Sequence, residues 1–412
     1  MSEPAIELGT RALEELQREV IERLAPLDRT PCSPGEREAA VSLARRLGEI
    51  DGVEVALEDE ASWGTFPPTS FALGSLGVLA AALTLRGRTR AGAALAALSI
   101  AGIVDEAQNG PRILRRLIRR ERRTVNVVAR AGTRPIGDRP ADAGTPTLVV
   151  IAHHDAPQTG LIFDQSLYKR VYELAPQLIE RPKTPPPQWW LGLAGPAGTI
   201  AAALTRTRAP ARAAFALGTL ATGLVADVWR SPTVPGASDN LSGVAALVGL
   251  AELFRERPID GLRLLLVSCG AEETLQDGIR AFAARHAAEL DPRATCFVNI
   301  DTVGSQHLTM LEAEGPVWME AYTGPWLRDE AAAHAERLGI ELRRGYRARA
   351  STDSVIPSRA GYPIVTLVSM SDWGPPANYH LPSDVPENVD YGTVADATRL
   401  TFALARELAA RA

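Results

Sequence analysis

Short apolar runs alternate with helix-length amphipathic patterns along most of this chain. Seven runs are typical of β-strands: residues 53–57, 124–129, 147–152, 262–268, 295–300, 307–311 and 363–368. Helical periodicity lies between or after them, at residues 36–47, 240–255, 279–289, 325–338 and 391–410. This alternation predicts an α/β sheet that carries helices on both faces.

Four stretches rich in Ala, Gly and Leu interrupt the alternation. They occupy residues 69–85, 91–104, 189–205 and 213–229. An arginine-containing turn joins each pair, so we expect two helical hairpins, at residues 62–111 and 185–230, inserted into a single domain of 412 residues. Each stretch is shorter than the ~20 apolar residues of a perpendicular membrane span. Small residues suit close helix packing in lipid and in water alike, so membrane insertion, a soluble lid and a dimer surface all stay open.

Composition restricts the class of protein. With 46% hydrophobic and 23% charged residues, the chain is globular rather than disordered. A net charge of −5 argues against a nucleic-acid partner, although residues 112–123 are locally basic. That basic run is interpreted as a solvated helix face, with contact to anionic lipid headgroups as the alternative. Three widely spaced cysteines without a CxxC pattern predict neither a disulfide framework nor a cysteine zinc site.

The first 26 residues form a charged amphipathic pattern that lacks the apolar core of a secretion signal. We therefore expect a cytoplasmic protein, associated with the inner face of the membrane if the hairpins enter lipid. The pattern says nothing about the oligomeric state.

Imidazole and carboxylate side chains stand just after several of the apolar runs. His153 and Asp155 follow the third run, Asp301 follows the fifth, and His380 lies in a loop after the seventh. A carboxylate beside a ligating imidazole can fix its tautomer and raise its basicity. His154 is expected to point the other way and to be structural. Because chemistry in α/β sheets gathers beyond the carboxyl ends of the strands, these side chains are candidates for one site.

Three further carboxylates complete this candidate set. Asp239 opens the helical pattern at 240–255, where it suits either a helix N-cap or a bridge between two cations. Glu272 and Glu273 follow the fourth run, and a cation or a proton would relieve their mutual repulsion. One of them can bind metal while its neighbour acts as a general base. Carboxylate oxygens mixed with imidazole suit Zn, with Mn or Co less favoured.

The order of these motifs resembles a known family. The motifs are AHHD at 152–155, GASDNLSG at 236–243, the Glu pair at 272–273, NIDTVG at 299–304, STDSVIPSRAGYP at 351–363 and NYHLPSD at 378–384. In this order they resemble the co-catalytic zinc exopeptidases, which include bacterial leucyl aminopeptidases, glutamate carboxypeptidases and glutaminyl cyclases. The resemblance implies the zinc exopeptidase fold, in which helices flank a mixed, mainly parallel central sheet.

Carried over by position, the resemblance implies two zinc ions and a peptide substrate. It assigns Asp239 as the bridge, His153 and Asp301 to one ion, Glu273 and His380 to the other, Asp155 as the residue that orients His153, Glu272 as the general base, and Tyr379 and Asp353 as substrate contacts. The implied reaction is hydrolysis of the N-terminal peptide bond by a metal-bound water that Glu272 deprotonates.

The chain departs from the family pattern at two positions that are not ligands. Leu275 stands where a Gly is usual, and Ser354 stands where a His often follows the Asp, so both bear on the shape of the pocket. An aminopeptidase is favoured because most of the similar enzymes bind a free amino terminus. The alternatives are a carboxypeptidase or dipeptidase, a single-zinc glutaminyl cyclase, and a non-enzymatic membrane scaffold. The hairpins flank the first ligand strand, so a lid that restricts the substrate to short or apolar peptides is a further hypothesis.

Overall fold

The computed structural model describes residues 9–131, 145–186 and 189–411. The parts of the predictions that fall on residues 1–8, in the amphipathic N-terminal pattern, and on residues 187–188, in the second hairpin range, lie outside the described residues. Within the described residues the strands are β1 (Glu54–Ser62), β2 (Arg122–Ala131), β3 (Thr147–His153), β4 (Arg263–Cys269), β5 (Thr295–Ile300), β6 (His307–Glu314), β7 (Glu320–Ala321), β8 (Arg343–Ala348) and β9 (Ile364–Met370). The α-helices are α1 (Thr10–Leu24), α2 (Pro34–Gly48), α3 (Pro67–Leu85), α4 (Thr89–Ala107), α5 (Ile113–Ile118), α6 (Ser166–Leu174), α7 (Gln177–Glu180), α8 (Trp190–Thr205), α9 (Arg208–Arg230), α10 (Leu241–Glu256), α11 (Asp277–His286), α12 (Pro325–Leu338), α13 (Val355–Arg359) and α14 (Tyr391–Ala410).

All nine strands belong to one sheet in the order β1-β2-β4-β3-β5-β9-β6-β7, with β8 paired to β6. The four central strands β4, β3, β5 and β9 run parallel. Outside them the pairs β1/β2, β2/β4, β6/β9 and β6/β7 are antiparallel. The predicted α/β fold with a mixed central sheet flanked by helices is confirmed; the centre of the sheet is parallel, and β8 pairs with β6 in parallel as well.

The core lies on both faces of this sheet, which explains the continuous apolar runs of its central strands. Every residue of β3 is buried. Helix α10 packs over β3 on one face together with α1 and α14, and its side chains such as Leu247 are fully buried. Phe282 of α11 is buried in the cluster on the other face. The sheet is therefore a rigid platform whose carboxyl edge positions the side chains that follow its strands.

The two apolar helix pairs pack against each other as one four-helix bundle. Helices α3 and α4 form one pair and α8 and α9 the other, and α3 contacts α9 while α4 contacts α8. Small residues allow this close approach, because a Cβ added at Gly195 would lie 2.9 Å from the Cα of Gly218. The arginine-containing turns lie together at the far end of the bundle, and the other end joins the sheet domain.

The basic run at 112–123 joins the bundle to the sheet domain. Arg112 is buried and pairs with Asp277, and Arg115 is buried and pairs with Glu106. Arg115 also donates a hydrogen bond to the backbone carbonyl of Thr274. The interpretation of this run as a solvated face is therefore wrong for Arg112 and Arg115, which form ion pairs inside the protein.

Candidate metal centre

The candidate ligands converge at the carboxyl ends of the parallel strands. His153 is the last residue of β3, and Asp301 directly follows β5. Glu272 and Glu273 lie in the turn after β4, which is the parallel neighbour of β3. Parallel strands present their carboxyl ends at the same edge of the sheet, so the topology itself gathers these side chains.

Asp239 stands between the two histidines. Its Oδ1 lies 3.3 Å from His153 Nε2, and its Oδ2 lies 3.3 Å from His380 Nε2. On the first side, Asp301 Oδ1 is 3.9 Å from His153 Nε2. On the second, Glu273 Oε1 is 3.5 Å from His380 Nε2. The ligand atoms of His153, Asp239 and Asp301, and those of Asp239, Glu273 and His380, lie within 4.8 Å of one another in each group.

These residues fit a metal centre by their chemistry. Asp239 Oδ2 and His380 Nε2 are buried and have no hydrogen-bond partner among the described residues. Burial, together with neighbouring carboxylates, raises the pKa of Glu272 and of Glu273 well above the usual range, and burial raises the pKa of Asp301. Bound cations would relieve this concentration of negative charge. Imidazole nitrogen combined with carboxylate oxygen is a donor set that Zn²⁺ accepts.

Asp155 links the first histidine to the Glu pair. Its Oδ1 lies 3.4 Å from His153 Nδ1. The same carboxylate accepts the backbone N–H of Glu272 at 3.0 Å and that of Glu273 at 2.9 Å. One buried side chain therefore holds the turn that carries both glutamates and lies beside the imidazole.

The cap of α10 is Asn240, so the alternative interpretation of Asp239 as the N-cap is wrong. Asn240 Oδ1 accepts the N–H of Gly243 at 3.0 Å, and its Nδ2 donates to the carbonyl of Ile300. The side chain of Asp239 is thereby left for the metal cluster. Its backbone N–H donates to Asp384, a buried carboxyl whose pKa burial raises to about 7.

The turn that carries the Glu pair has an unusual backbone. Ala271, Leu275 and Gln276 all adopt positive φ values, between 52° and 70°. Leu275, where the resembling family usually has Gly, thus sits in the left-handed region that Gly adopts most readily. Gln276 then donates from its Nε2 to Glu272 Oε1 and accepts at its Oε1 from Asn109 Nδ2 at 2.8 Å.

Several residues of this site escaped the sequence reasoning. Arg29 is buried and donates to the carbonyls of His154 and Gly236, which flank two ligand segments. The ring of Phe163 lies 4.2 Å from that of His380, centroid to centroid. No local pattern marks either residue, because each contact joins segments more than 100 residues apart in the sequence.

The remaining predicted residues have distinct positions. Tyr379 lines the cavity, and its ring centroid is 4.0 Å from that of His380. Asp353 is buried, and burial raises its pKa to about 7, while its neighbours Ser351 and Thr352 line the cavity wall. His154 points away towards Ser268, with its Nδ1 2.9 Å from the hydroxyl, and burial lowers its pKa to about 4. The roles of Tyr379 and Asp353 in substrate binding stay predictions.

A cavity of about 960 Å³ joins the metal cluster to the bundle. The candidate ligands form part of its wall together with Glu272. The bundle contributes a largely apolar part of the wall, which includes Ile103, Pro196, Val225 and Val228. The hairpins therefore cover the candidate ligands, and a bound substrate would contact the side chains of the bundle that line the cavity.

Comparisons with known proteins show a family match and a shared fold. Residues 224–405 match the model of Peptidase family M28. No curated protein sequence matches the chain. Among solved structures, a glutaminyl cyclase from an Acidobacteriales bacterium is similar with a TM-score of 0.55 and 14% identity, over 100% of this chain and 98% of that one.

Two further solved structures share the fold. An aminopeptidase from Aneurinibacillus sp. strain AM-1 is similar with a TM-score of 0.53 and 14% identity, over 97% of this chain and 95% of that one. A Zn-dependent exopeptidase from Parabacteroides distasonis has a TM-score of 0.52 and 13% identity, over 95% and 97% of the two chains. At these identities the likeness speaks for the fold.

Proposed function

We propose that this chain, whose residues 224–405 match the model of Peptidase family M28, is a zinc-dependent metallopeptidase, namely an aminopeptidase that uses two zinc ions. The observation that carries the proposal is the position of Asp239. Its two carboxylate oxygens each lie 3.3 Å from a different imidazole, which is the arrangement of a bridging ligand. His153 with Asp301 and Glu273 with His380 would complete the two sites.

The chemistry divides between the ions and the side chains around them. When bound, two zinc ions would supply Lewis acidity that acidifies a water and polarises the scissile carbonyl. Glu272 accepts the proton of the attacking water and returns it to the leaving amine. Its Oε1 is engaged by Gln276, which leaves Oε2 to carry the proton. Asp155 keeps His153 in the tautomer that presents a free Nε2 towards the metal side.

The charge of the site favours a substrate with a free amino terminus. Asp164 and Glu180, two carboxylates outside the candidate ligand set, also line the cavity, and a protonated amine would be attracted to them.

The cavity wall formed by the bundle points to an apolar side chain on the substrate. Ile103, Val225 and Val228 would contact the residue that precedes the scissile bond, and their surface offers dispersion contacts without hydrogen bonds. We therefore propose peptides with an apolar N-terminal residue as the preferred substrates.

One specific observation favours a second candidate, a carboxypeptidase. Arg343, Arg347 and Arg349 line the same cavity on the side of β8, and guanidinium groups bind carboxylates in a forked geometry. A substrate that enters with its carboxyl terminus towards β8 would use them. A glutaminyl cyclase on the same fold remains the third candidate, and it would need one zinc ion.

Zinc content and end-specificity test the proposal together. The purified protein is expected to hold about two zinc ions per chain and to release the first residue of a leucine-initiated peptide. Acetylation of the peptide's amino terminus should abolish cleavage, whereas amidation of its carboxyl terminus should leave cleavage intact. The variant Glu272→Gln should retain zinc and lose activity. Cleavage of the acetylated peptide from its carboxyl end would support the carboxypeptidase, and one zinc ion with cyclisation of an N-terminal glutamine would support the cyclase.

A further inference from the structure

We propose that the four-helix bundle is embedded in a lipid bilayer and holds the sheet domain against the membrane surface. The outer faces of its helices carry exposed apolar side chains, for example Leu98 of α4, Leu204 of α8 and Leu220 of α9. Leu204 is 79% exposed and Leu220 is 54% exposed. Soluble proteins rarely leave a continuous apolar surface of this kind uncovered.

One uncharged helix of the bundle, α3, is close to a membrane core in length, and the uncharged segments of the other three helices are shorter. All of α3 and α8 is free of Asp, Glu, Lys and Arg, and so are residues 91–104 of α4 and 213–226 of α9. At a rise of 1.5 Å per residue, the 19 residues of α3 extend over about 28 Å, close to the ~30 Å of a hydrocarbon core. By length and composition alone, helices α3 and α9 each meet the requirement for crossing a membrane. The shorter uncharged segments of α4 and α9 extend over about 21 Å, and long arginine side chains at their ends can reach the headgroups.

Charge marks the far end of these uncharged segments. Both turns of the bundle lie there, and six exposed arginines surround them without an acidic neighbour in either turn: Arg86, Arg88, Arg90, Arg206, Arg208 and Arg212. A cluster of this kind suits the phosphate layer of a bilayer. In a parallel side-by-side dimer it would meet the same cluster of a second copy and be repelled.

Aromatic side chains mark the near end, where the bundle joins the sheet domain. Trp189 pairs with Phe66 and Trp229 with Phe71, with ring centroids 5.9 Å and 5.6 Å apart. Trp190 is half exposed at the same level, and its Nε1 donates to the carbonyl of Val317. Tryptophan at the ends of apolar helices is typical of the interface between lipid and water.

Short segments beside this aromatic end also expose apolar side chains. Helix α5 contacts α3 and α4 and exposes Ile113, Leu117 and Ile118, with Leu117 75% exposed. Leu161 is likewise exposed, and its N–H donates to Asp227 at the end of α9. Arg116 lies on α5 and Arg119 directly follows it. Basic and apolar side chains on one short helix are typical of helices that lie in the headgroup layer. These segments would lie flat in the interface around the base of the bundle.

Cysteine labelling in vesicles tests this proposal. The full chain is reconstituted into phosphatidylcholine and phosphatidylglycerol vesicles as three variants, Leu220→Cys on the bundle's outer face, Thr207→Cys in a turn and Glu38→Cys on α2. All three positions are exposed in the protein. A water-soluble maleimide is then applied to intact vesicles, to vesicles opened with detergent and to the protein in denaturant, and the unaltered chain provides the background from its own cysteines. We expect Leu220→Cys to be labelled at least tenfold more slowly in vesicles than in denaturant, and Glu38→Cys and Thr207→Cys to be labelled at similar rates once vesicles are opened.

A second measurement separates lipid from a second copy of the chain. The double variant Leu98→Asp/Leu220→Asp should lose membrane association in carbonate-washed cell membranes, and the matched double variant Leu98→Ile/Leu220→Ile should keep it. Rapid labelling of Leu220→Cys in intact vesicles would overturn the proposal. So would a protein that stays soluble without detergent as a dimer in which Leu220→Cys is protected. Neither readout depends on peptidase activity.

Discussion

Asp155 accepts the backbone N–H of Glu272 at 3.0 Å, so the residue that lies beside the first imidazole also fixes the backbone of the candidate general base. The same carboxylate lies 3.4 Å from His153 Nδ1 and accepts the N–H of Glu273. One side chain thus couples a metal ligand on β3 to two glutamates after β4. The site is built as a unit rather than as separate ligands.

This coupling predicts the effect of Asp155→Asn. The amide keeps the shape of the carboxylate but loses its charge, and its NH₂ group cannot accept the N–H of the glutamates. We expect zinc affinity and kcat/KM each to fall roughly 10- to 100-fold, measured by chelator competition and by peptide hydrolysis. Asp59→Asn, an exposed change on β1, is the matched control. Equal zinc affinity in Asp155→Asn and Asp59→Asn would contradict the role of Asp155.

The series of hydrogen bonds from Asn109 through Gln276 to Glu272 predicts a shift in the pH profile of the activity. Asn109 holds the amide of Gln276, which donates to Glu272 Oε1, so Gln276 is a positioning residue. Gln276→Glu replaces that donor with a negative charge, which raises the pKa of the base. The acid limb of kcat against pH should move upward by about one unit. Gln276→Met removes the donor without adding charge, so a loss of rate with an unchanged limb is expected there. An identical limb in Gln276→Glu and in the unaltered chain would sink the assignment.

The apolar cavity wall formed by the bundle predicts a change in substrate preference. Val225→Trp fills the part of the cavity that α9 lines, so bulky N-terminal side chains lose their space. We expect kcat/KM to fall about tenfold for leucine- and phenylalanine-initiated peptides, with alanine-initiated peptides little affected. Leu217→Trp, on the exposed outer side of the same helix, is the control. A uniform loss over all substrates in Val225→Trp would indicate damage to the fold instead.

The sequence predicts those elements whose burial is uniform along their length. Strand β5 and helices α12 and α14 begin and end at the residues that the apolar patterns predict. A strand covered on both faces is apolar throughout, and an amphipathic helix repeats its apolar side chains at a regular spacing, so both patterns can be followed to their ends. Strand β8 was not predicted. Its sequence RRGYRA is half-buried and polar at the edge of the sheet, where pairing with β6 rather than apolar burial holds it.

The site divides in the same way. The residues that follow strands could be selected from the sequence, because strand ends in an α/β sheet meet at one edge. The residues that form hydrogen bonds with these site residues could not be selected from the sequence. Asn109 lies two residues after the end of α4 and donates to Gln276, 167 positions away in the sequence. The association of the two hairpins likewise joins segments that are separated by the whole of β2 and β3. Such contacts depend on the tertiary packing and leave no periodic signal in the sequence.

A buried carboxyl away from the metal cluster predicts the pH dependence of stability. Burial raises the pKa of Glu314 from an ordinary value of 4.5 to about 8, although Thr352 donates to it from both its N–H and its hydroxyl. The folded state therefore holds a proton that the unfolded chain releases between these two pH values. The contribution is fully present below pH 4.5, and it is lost as the pH rises to about 8, at up to ~1.4 kcal/mol per pH unit. Glu314→Gln remains neutral, so the urea midpoint of this variant should fall less than that of the unaltered chain between pH 5.5 and 8.5. Because every other titrating group is shared, the difference between the two proteins isolates Glu314, and parallel pH profiles would show that its carboxyl ionises at an ordinary pH.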